Sequence, residues 1–184
     1  MEKLVLNYRP LWHNIQMTIS YPYLPVGKTI MYVSADNPFM KVAELVRNTL
    51  STELNHPTGA VVVIDGTIVG RGANQAHIKN KAVQKIHRKY FCVRRLFNIP
   101  SGQKYWLCPG CARTKDHAEV RAVRDALACR ANFRSADLYL FGHWWCCKSC
   151  WDAMIDVGIN TVYLLQGSEK LFNPARTENS ITER

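Results

Sequence analysis

At 184 residues the chain has room for one domain with a sizeable core and too little for two ordinary ones. No stretch approaches the ~20 apolar residues of a membrane span, and the first residues lack the basic and apolar regions of a secretory leader, so a soluble, cytoplasmic protein with no membrane partner is expected. Most of the formal charge of +10 falls in one segment, where Lys79, Lys81, Lys85, Arg88, Lys89, Arg94, Arg95 and Lys104 stand without an acid among them, which points to a phosphate-bearing partner.

Residues 1–38 read as an N-terminal extension that packs on the domain, with aromatics, prolines and one strand-like run at Thr29 to Val33. Val42, Leu45, Val46 and Leu50 recur at helical spacing and predict the first amphipathic helix. A hairpin follows: valine-rich Ala60 to Ile64, the turn Asp65-Gly66, then Thr67 to Gly70. Next come Gly72, which permits close backbone approach to a ligand, and Asn74, which reads equally as a binding residue or a turn asparagine. Val83, Ile86, Tyr90, Val93 and Phe97 predict one basic amphipathic helix over Lys81 to Phe97.

Seven cysteines, an odd number at metal-ligand spacings, argue for reduced thiols and metal rather than disulfides. Cys108-Pro109-Gly110-Cys111 has zinc-knuckle spacing. Cys92, with His77 or His87, would complete a closed second site there; the alternative is a set of reduced thiols in a loop near the pocket.

The chemistry concentrates in two later pieces. Asp116 reads as an N-cap with His117 in the first turn of a helix carrying Val120, Val123 and Ala126, and Glu119 lies two residues on. After the strand Leu138 to Phe141 and the residues His143, Trp144 and Trp145, Cys147 and Cys150 stand at i and i+3 at the start of a second helix, followed by a strand from Asn160 to Leu165. One imidazole and two thiolates can hold zinc with a position left for water, and the nearby carboxylate can carry protons. Strands alternating with helices imply an α/β sheet covered on both faces, with ligands at the carboxyl ends of its strands.

The chain resembles the zinc-dependent cytidine and deoxycytidylate (dCMP) deaminase superfamily over roughly residues 39 to 165. The residues that carry the resemblance are Gly59-Ala60-Val61-Val62-Val63 with Gly72-Ala73-Asn74; Cys92-Val93-Arg94 leading to Ile99-Pro100-Ser101-Gly102 and Leu107-Cys108; His117-Ala118-Glu119; and Cys147-x-x-Cys150. The second group is most similar to the dCMP branch. The residues over 167–184 read from their composition as a polar tail. The resemblance implies a three-layer α/β/α fold around a five-stranded mixed sheet and a deaminase domain over 39–166. It implies zinc on His117, Cys147 and Cys150, with Glu119 as proton shuttle and Asn74 against the sugar. Ala118, Arg94, Ser101, His143, Trp144 and Trp145 join Asn74 as expected substrate contacts, with Trp144 and Trp145 reading equally as core aromatics. A homo-oligomer acting on a pyrimidine nucleotide, dCMP first, is implied as well.

Departures from the family pattern fall where the substrate is expected: Cys146 in place of proline, His143-Trp144-Trp145 in place of threonine-leucine-serine, and Arg121 in place of asparagine. Two other readings stand beside the nucleotide deaminase. One is a cytidine or adenosine deaminase of single-stranded DNA or RNA that uses segment 79–104 on the backbone. The other is a catalytically silent zinc protein that binds nucleotide, against which Glu119 weighs. On the first reading Lys85, Arg88 and Lys89 are charge beyond the needs of one phosphate, serving solubility or subunit contacts.

Overall fold

The computed structural model describes residues 19–129 and 136–173. The expected roles of residues 1–18 and of the tail beyond 173 lie outside them. The elements run β1 (Thr29–Val33), α1 (Pro38–Leu50), β2 (Gly59–Ile64), β3 (Thr67–Ala73), α2 (Lys81–Ile86), α3 (Val93–Leu96), α4 (Ala118–Ala128), β4 (Ala136–Phe141), α5 (Lys148–Ile155), β5 (Ile159–Leu165) and α6 (Ser168–Phe172). The strands form one mixed sheet in the order β1-β5-β4-β2-β3. β1, β5 and β4 are mutually parallel, while β2 runs antiparallel to both β4 and β3.

Alternation along the central strands builds two cores. Val61, Val63, Tyr139 and Phe141 face Met40, Ala43 and Val46 of α1, whereas Ala60, Val62, Leu138 and Leu140 face Ala122, Val123 and Ala126 of α4 and Trp151 and Met154 of α5. The result is the three-layer α/β/α arrangement. α1 starts where Asn37 Oδ1 accepts from the amides of Phe39 (3.0 Å) and Met40 (3.1 Å), with Pro38 in the first turn. Its buried face is Met40, Ala43 and Val46, and Leu45 and Leu50 of the expected pattern are exposed.

Gly72 is needed for a reason other than the expected ligand approach. A Cβ there would run into the backbone of Ala118, Arg121 and Ala122, and one on Gly70 into Ala122 and Ala126, so the two glycines let α4 lie flat on β3. Asp125 Oδ2 then accepts from the Arg71 amide at 2.8 Å and fixes the helix along that edge strand.

The single basic helix expected over Lys81 to Phe97 is instead three pieces. α2 passes into a π-helical turn at His87–Phe91, Cys92 is extended (φ −76°, ψ 105°), and α3 follows. Its apolar residues do not form a core face: Val83, Ile86, Tyr90, Phe91, Leu96 and Phe97 are all exposed. At the other end, the residues after Gly167 add a short helix, α6, whose Phe172 packs on Phe141 with ring centroids 5.6 Å apart. β1 occupies one edge of the sheet, and Tyr21 stacks on Trp144 with its hydroxyl 2.6 Å from that of Tyr32.

Candidate metal centre and pocket

The pairing register sets the carboxyl ends of β3 and β4 on either side of Gly59 at the start of β2, and α4 and α5 both begin at this end of the sheet. His117 is itself the N-cap of α4 (φ −73°, ψ 150°), and Cys147 is the N-cap of α5 (φ −71°, ψ 160°). Asp116 is not the cap: it closes a 3₁₀ turn at Thr114–Asp116, and its carbonyl accepts from the Gln75 amide at 2.9 Å.

Capping geometry brings the donors together. His117 Nδ1 lies 3.3 Å from Cys150 Sγ and 3.7 Å from Cys147 Sγ, and the two sulfurs are 3.3 Å apart. A tetrahedral zinc with Zn–S near 2.3 Å and Zn–N near 2.0 Å places its sulfurs about 3.8 Å apart and nitrogen about 3.5 Å from sulfur, so three ligands fit with shifts of a few tenths of an ångström. Cys146, next in sequence, is fully buried beside Glu119 rather than gathered with the three.

The electrostatics suit proton transfer at Glu119 and metal binding at Cys147. The hydrogen bond with Cys150 outweighs burial at Cys147 and, with His117, brings its thiol down to about 3, so a thiolate stands ready. At His117 burial favours the neutral ring, but the bond to Cys147 and the charge of Glu119 prevail and raise its pKa. Glu119 is buried, and desolvation raises its carboxyl above the ordinary range while His117 pulls the other way. A carboxyl so raised holds a proton more readily than an exposed one and can hand it on to a reacting group.

These groups form one side of a cavity of about 480 Å³. Its lining takes in the expected residues Asn74, Arg94, Ser101, Ala118, His143 and Trp145. Asn74 is already engaged: Oδ1 accepts from Ser51 Oγ (2.6 Å) and the Thr58 amide (2.9 Å), and Nδ2 donates to the His56 carbonyl (2.7 Å), which leaves one amide N–H for a ligand. His143 is brought down to about 4 by burial. Its Nδ1 accepts from the Trp145 amide at 3.3 Å, so the neutral ring carries its proton on Nε2. Trp144 stands outside this cavity, lining a neighbouring one with Tyr23 and Pro100. Arg121 is exposed and does not line the pocket.

The basic segment divides by residue type. Arg88, Arg94 and Arg95 line the cavity, whereas Lys79, Lys81, Lys85, Lys89 and Lys104 are exposed and outside it. Arg88 is therefore a pocket residue and not surplus charge; its guanidinium donates to His56 Nε2 at 2.8 Å. Arg94 donates to the Pro100 carbonyl at 2.8 Å and lies 4.2 Å over the Tyr105 ring, yet its Nε is buried without a hydrogen-bond partner.

Tyr105 escaped the sequence reading, as did His56 and Gln84. The Tyr105 ring meets His117 edge-on at 4.8 Å, and its hydroxyl accepts from the Gly102 amide at 3.1 Å. A tyrosine in a short 3₁₀ turn carries no periodic signal, and its nearness to Cys108 was the one hint available. Cys92, Cys108 and Cys111 converge with His87, while His77, the other histidine considered, is exposed and apart from them.

Residues 33–166 match the family model for the cytidine and deoxycytidylate deaminase zinc-binding region. No curated protein matches the chain. Among solved structures it is similar to the dCMP deaminase of cyanophage S-TIM5 in complex with dCMP and dUMP, at 18% identity over 77% of this chain and 88% of that one, with a TM-score of 0.41. It is similar to guanine deaminase from Bacillus subtilis at 21% identity over 79% and 76% of the two chains, with a TM-score of 0.38. A Thermotoga maritima diaminohydroxyphosphoribosylaminopyrimidine deaminase/5-amino-6-(5-phosphoribosylamino)uracil reductase matches at 23% identity over 68% of this chain, with a TM-score of 0.41, and the matched part spans 28% of that longer protein.

Proposed function

The chain belongs to the cytidine and deoxycytidylate deaminase zinc-binding family, and from that premise we propose that it hydrolytically deaminates a free cytosine nucleotide, dCMP to dUMP with release of ammonia. The observation that carries this reading is one cavity with two kinds of chemistry: buried Glu119 beside the His117, Cys147 and Cys150 donors, and Arg88, Arg94 and Arg95 on the same lining. Zinc held by those three donors supplies Lewis acidity that brings the pKa of water toward about 7.

The chain's own groups do the rest. Glu119 takes a proton from the attacking water and places it on N3 of the ring as the water adds to C4; it then carries a proton to the departing amino group, so water enters and ammonia leaves. Trp145, buried against the core, shields this step from bulk water. The partnerless Nε of Arg94 supports a phosphate contact, since a buried guanidinium N–H without an acceptor is costly until an anion arrives.

Turnover of dCMP, CMP, the free nucleosides, and single-stranded DNA and RNA tests the reading. dCMP is expected to be the best substrate. Arg94→Ala, which removes charge-assisted hydrogen bonds to phosphate, should raise KM about 10- to 100-fold, as should Arg88→Ala. Replacing exposed Lys85 and Lys89 together should leave turnover within a few-fold. The five exposed lysines favour the polynucleotide alternative, and it has a distinct signature: affinity falling by about 0.7 log unit per log unit of salt for each contacted phosphate of a single strand. Turnover of single-stranded DNA with that slope, and none of dCMP, would overturn the proposal.

A homo-oligomer belongs to the same reading. The exposed Val83, Ile86, Tyr90, Phe91, Leu96 and Phe97 support it, because so many large apolar side chains in one short stretch suit a subunit interface. Analytical ultracentrifugation at micromolar concentration should show an assembly, and a monomer would refute it.

A further inference from the structure

We propose that His87, Cys92, Cys108 and Cys111 form a second, structural zinc site that clamps the arginine-bearing wall of the pocket. One donor atom from each residue lies within 4.8 Å of all the others. His87 Nε2 is 3.0 Å from Cys108 Sγ, and Cys92 Sγ is 3.6 Å from Cys111 Sγ. An imidazole and three thiolates form a complete tetrahedral set with no position left for water, the arrangement of a site that holds structure. The His117 cluster differs in offering three donors.

The local backbone departs from regular structure in ways that serve this convergence. His87 enters the π-helical turn, and the extended Cys92 interrupts what would otherwise be one helix through to Leu96. Cys108 and Cys111 are joined by a tight turn in which the Cys111 amide donates to the Cys108 carbonyl at 3.1 Å. Between them, Gly110 passes so close to the imidazole that a Cβ would stand 2.5 Å from His87 Nε2. The four donors thus come from three separate stretches of chain, and no periodic pattern would have assembled them.

Nothing apolar does the work that the metal would do. From residue 85 to residue 116 the buried residues are Cys92 and Cys108, while Phe91, Leu96, Phe97 and Trp106 are exposed. A segment of this length without a core of its own needs another source of cohesion, and binding energy at a Cys₃His zinc is folding energy for the loops that carry the ligands. The consequence reaches the pocket directly, because Arg88 follows one ligand in sequence and Arg94 stands two residues beyond another.

The second site does not depend on the deaminase reading. Zinc is counted in the full chain, purified without chelator, loaded with zinc and kept reduced. Two equivalents per chain are expected in the wild type and one in His117→Ala. The double variant Cys108→Ser/Cys111→Ser should also retain one, held by the His117 cluster. Gly110→Ala should weaken the second equivalent and leave the first. Cobalt-loaded His117→Ala should show the strong thiolate-to-cobalt absorption of a three-thiolate tetrahedral site. One zinc per chain in the loaded wild type would overturn the proposal, as would two in the double variant or a Cys92–Cys111 disulfide in the loaded protein. Should the double variant fail to fold, the wild-type count and the His117→Ala cobalt spectrum decide without it. Two zincs with no deamination of any cytosine substrate would sink the functional reading and leave this site standing.

Discussion

Glu119→Gln is expected to lower kcat by about 10³- to 10⁴-fold while leaving the zinc content and the melting temperature near those of the wild type. The loss follows from the role: general acid–base groups contribute about 10²- to 10⁴-fold each, and here one carboxyl serves both the attacking water and the departing amine. The retention follows from the geometry, because Glu119 is not among the gathered donors. Glutamine has nearly the same volume, and its amide can accept a hydrogen bond from the buried Cys146 thiol that adjoins this position. It also needs no desolvated charge in a residue that is 6% exposed. Metal analysis and calorimetry beside steady-state kinetics check all three expectations. A Glu119→Gln variant that keeps wild-type kcat would show that another group carries the proton.

The parts of this molecule legible from sequence are those whose determinants are local. Valine-rich β2, the Asp65-Gly66 turn, and the helices opening at His117 and Cys147 announce themselves within a dozen residues, and the spacing of His117, Cys147 and Cys150 already places three donors at two helix starts. What sequence hid depends on distant partners. Asp116 looked like a cap because the apolar helical period starts just after it, yet the 3₁₀ turn that Asp116 closes hands that position to His117. Gly72 looked like a ligand contact, but the neighbour that demands a glycine is α4, which begins 46 residues later. The basic segment reads as one helix from its apolar period, and the period misleads because those apolar side chains face outward while the cysteines turn in. The sorting of arginines from lysines could not be seen in a count of charge.

Cys150→Ser should remove zinc and activity together, and so separates the role of a ligand from that of Glu119. Cys150 is fully buried at the third position of α5, in contact with both Cys147 and His117. Serine is close in size, so the surrounding core of Trp151, Met154 and Ala118 loses little packing. It is a hard, weakly acidic oxygen donor where borderline zinc prefers a thiolate. The hydrogen bond by which Cys150 holds the Cys147 thiol at about 3 is also altered, so a second ligand loses part of its readiness to bind as an anion. Zinc at this centre should fall to near zero and deamination below detection. Added zinc should restore little, whereas Glu119→Gln stays inactive with its metal in place. If His87, Cys92, Cys108 and Cys111 hold a zinc of their own, the variant retains one equivalent and the fold of the basic segment with it. A Cys150→Ser protein that keeps full zinc and turns over dCMP would mean that the three donors gathered at the starts of α4 and α5 are not the catalytic metal site.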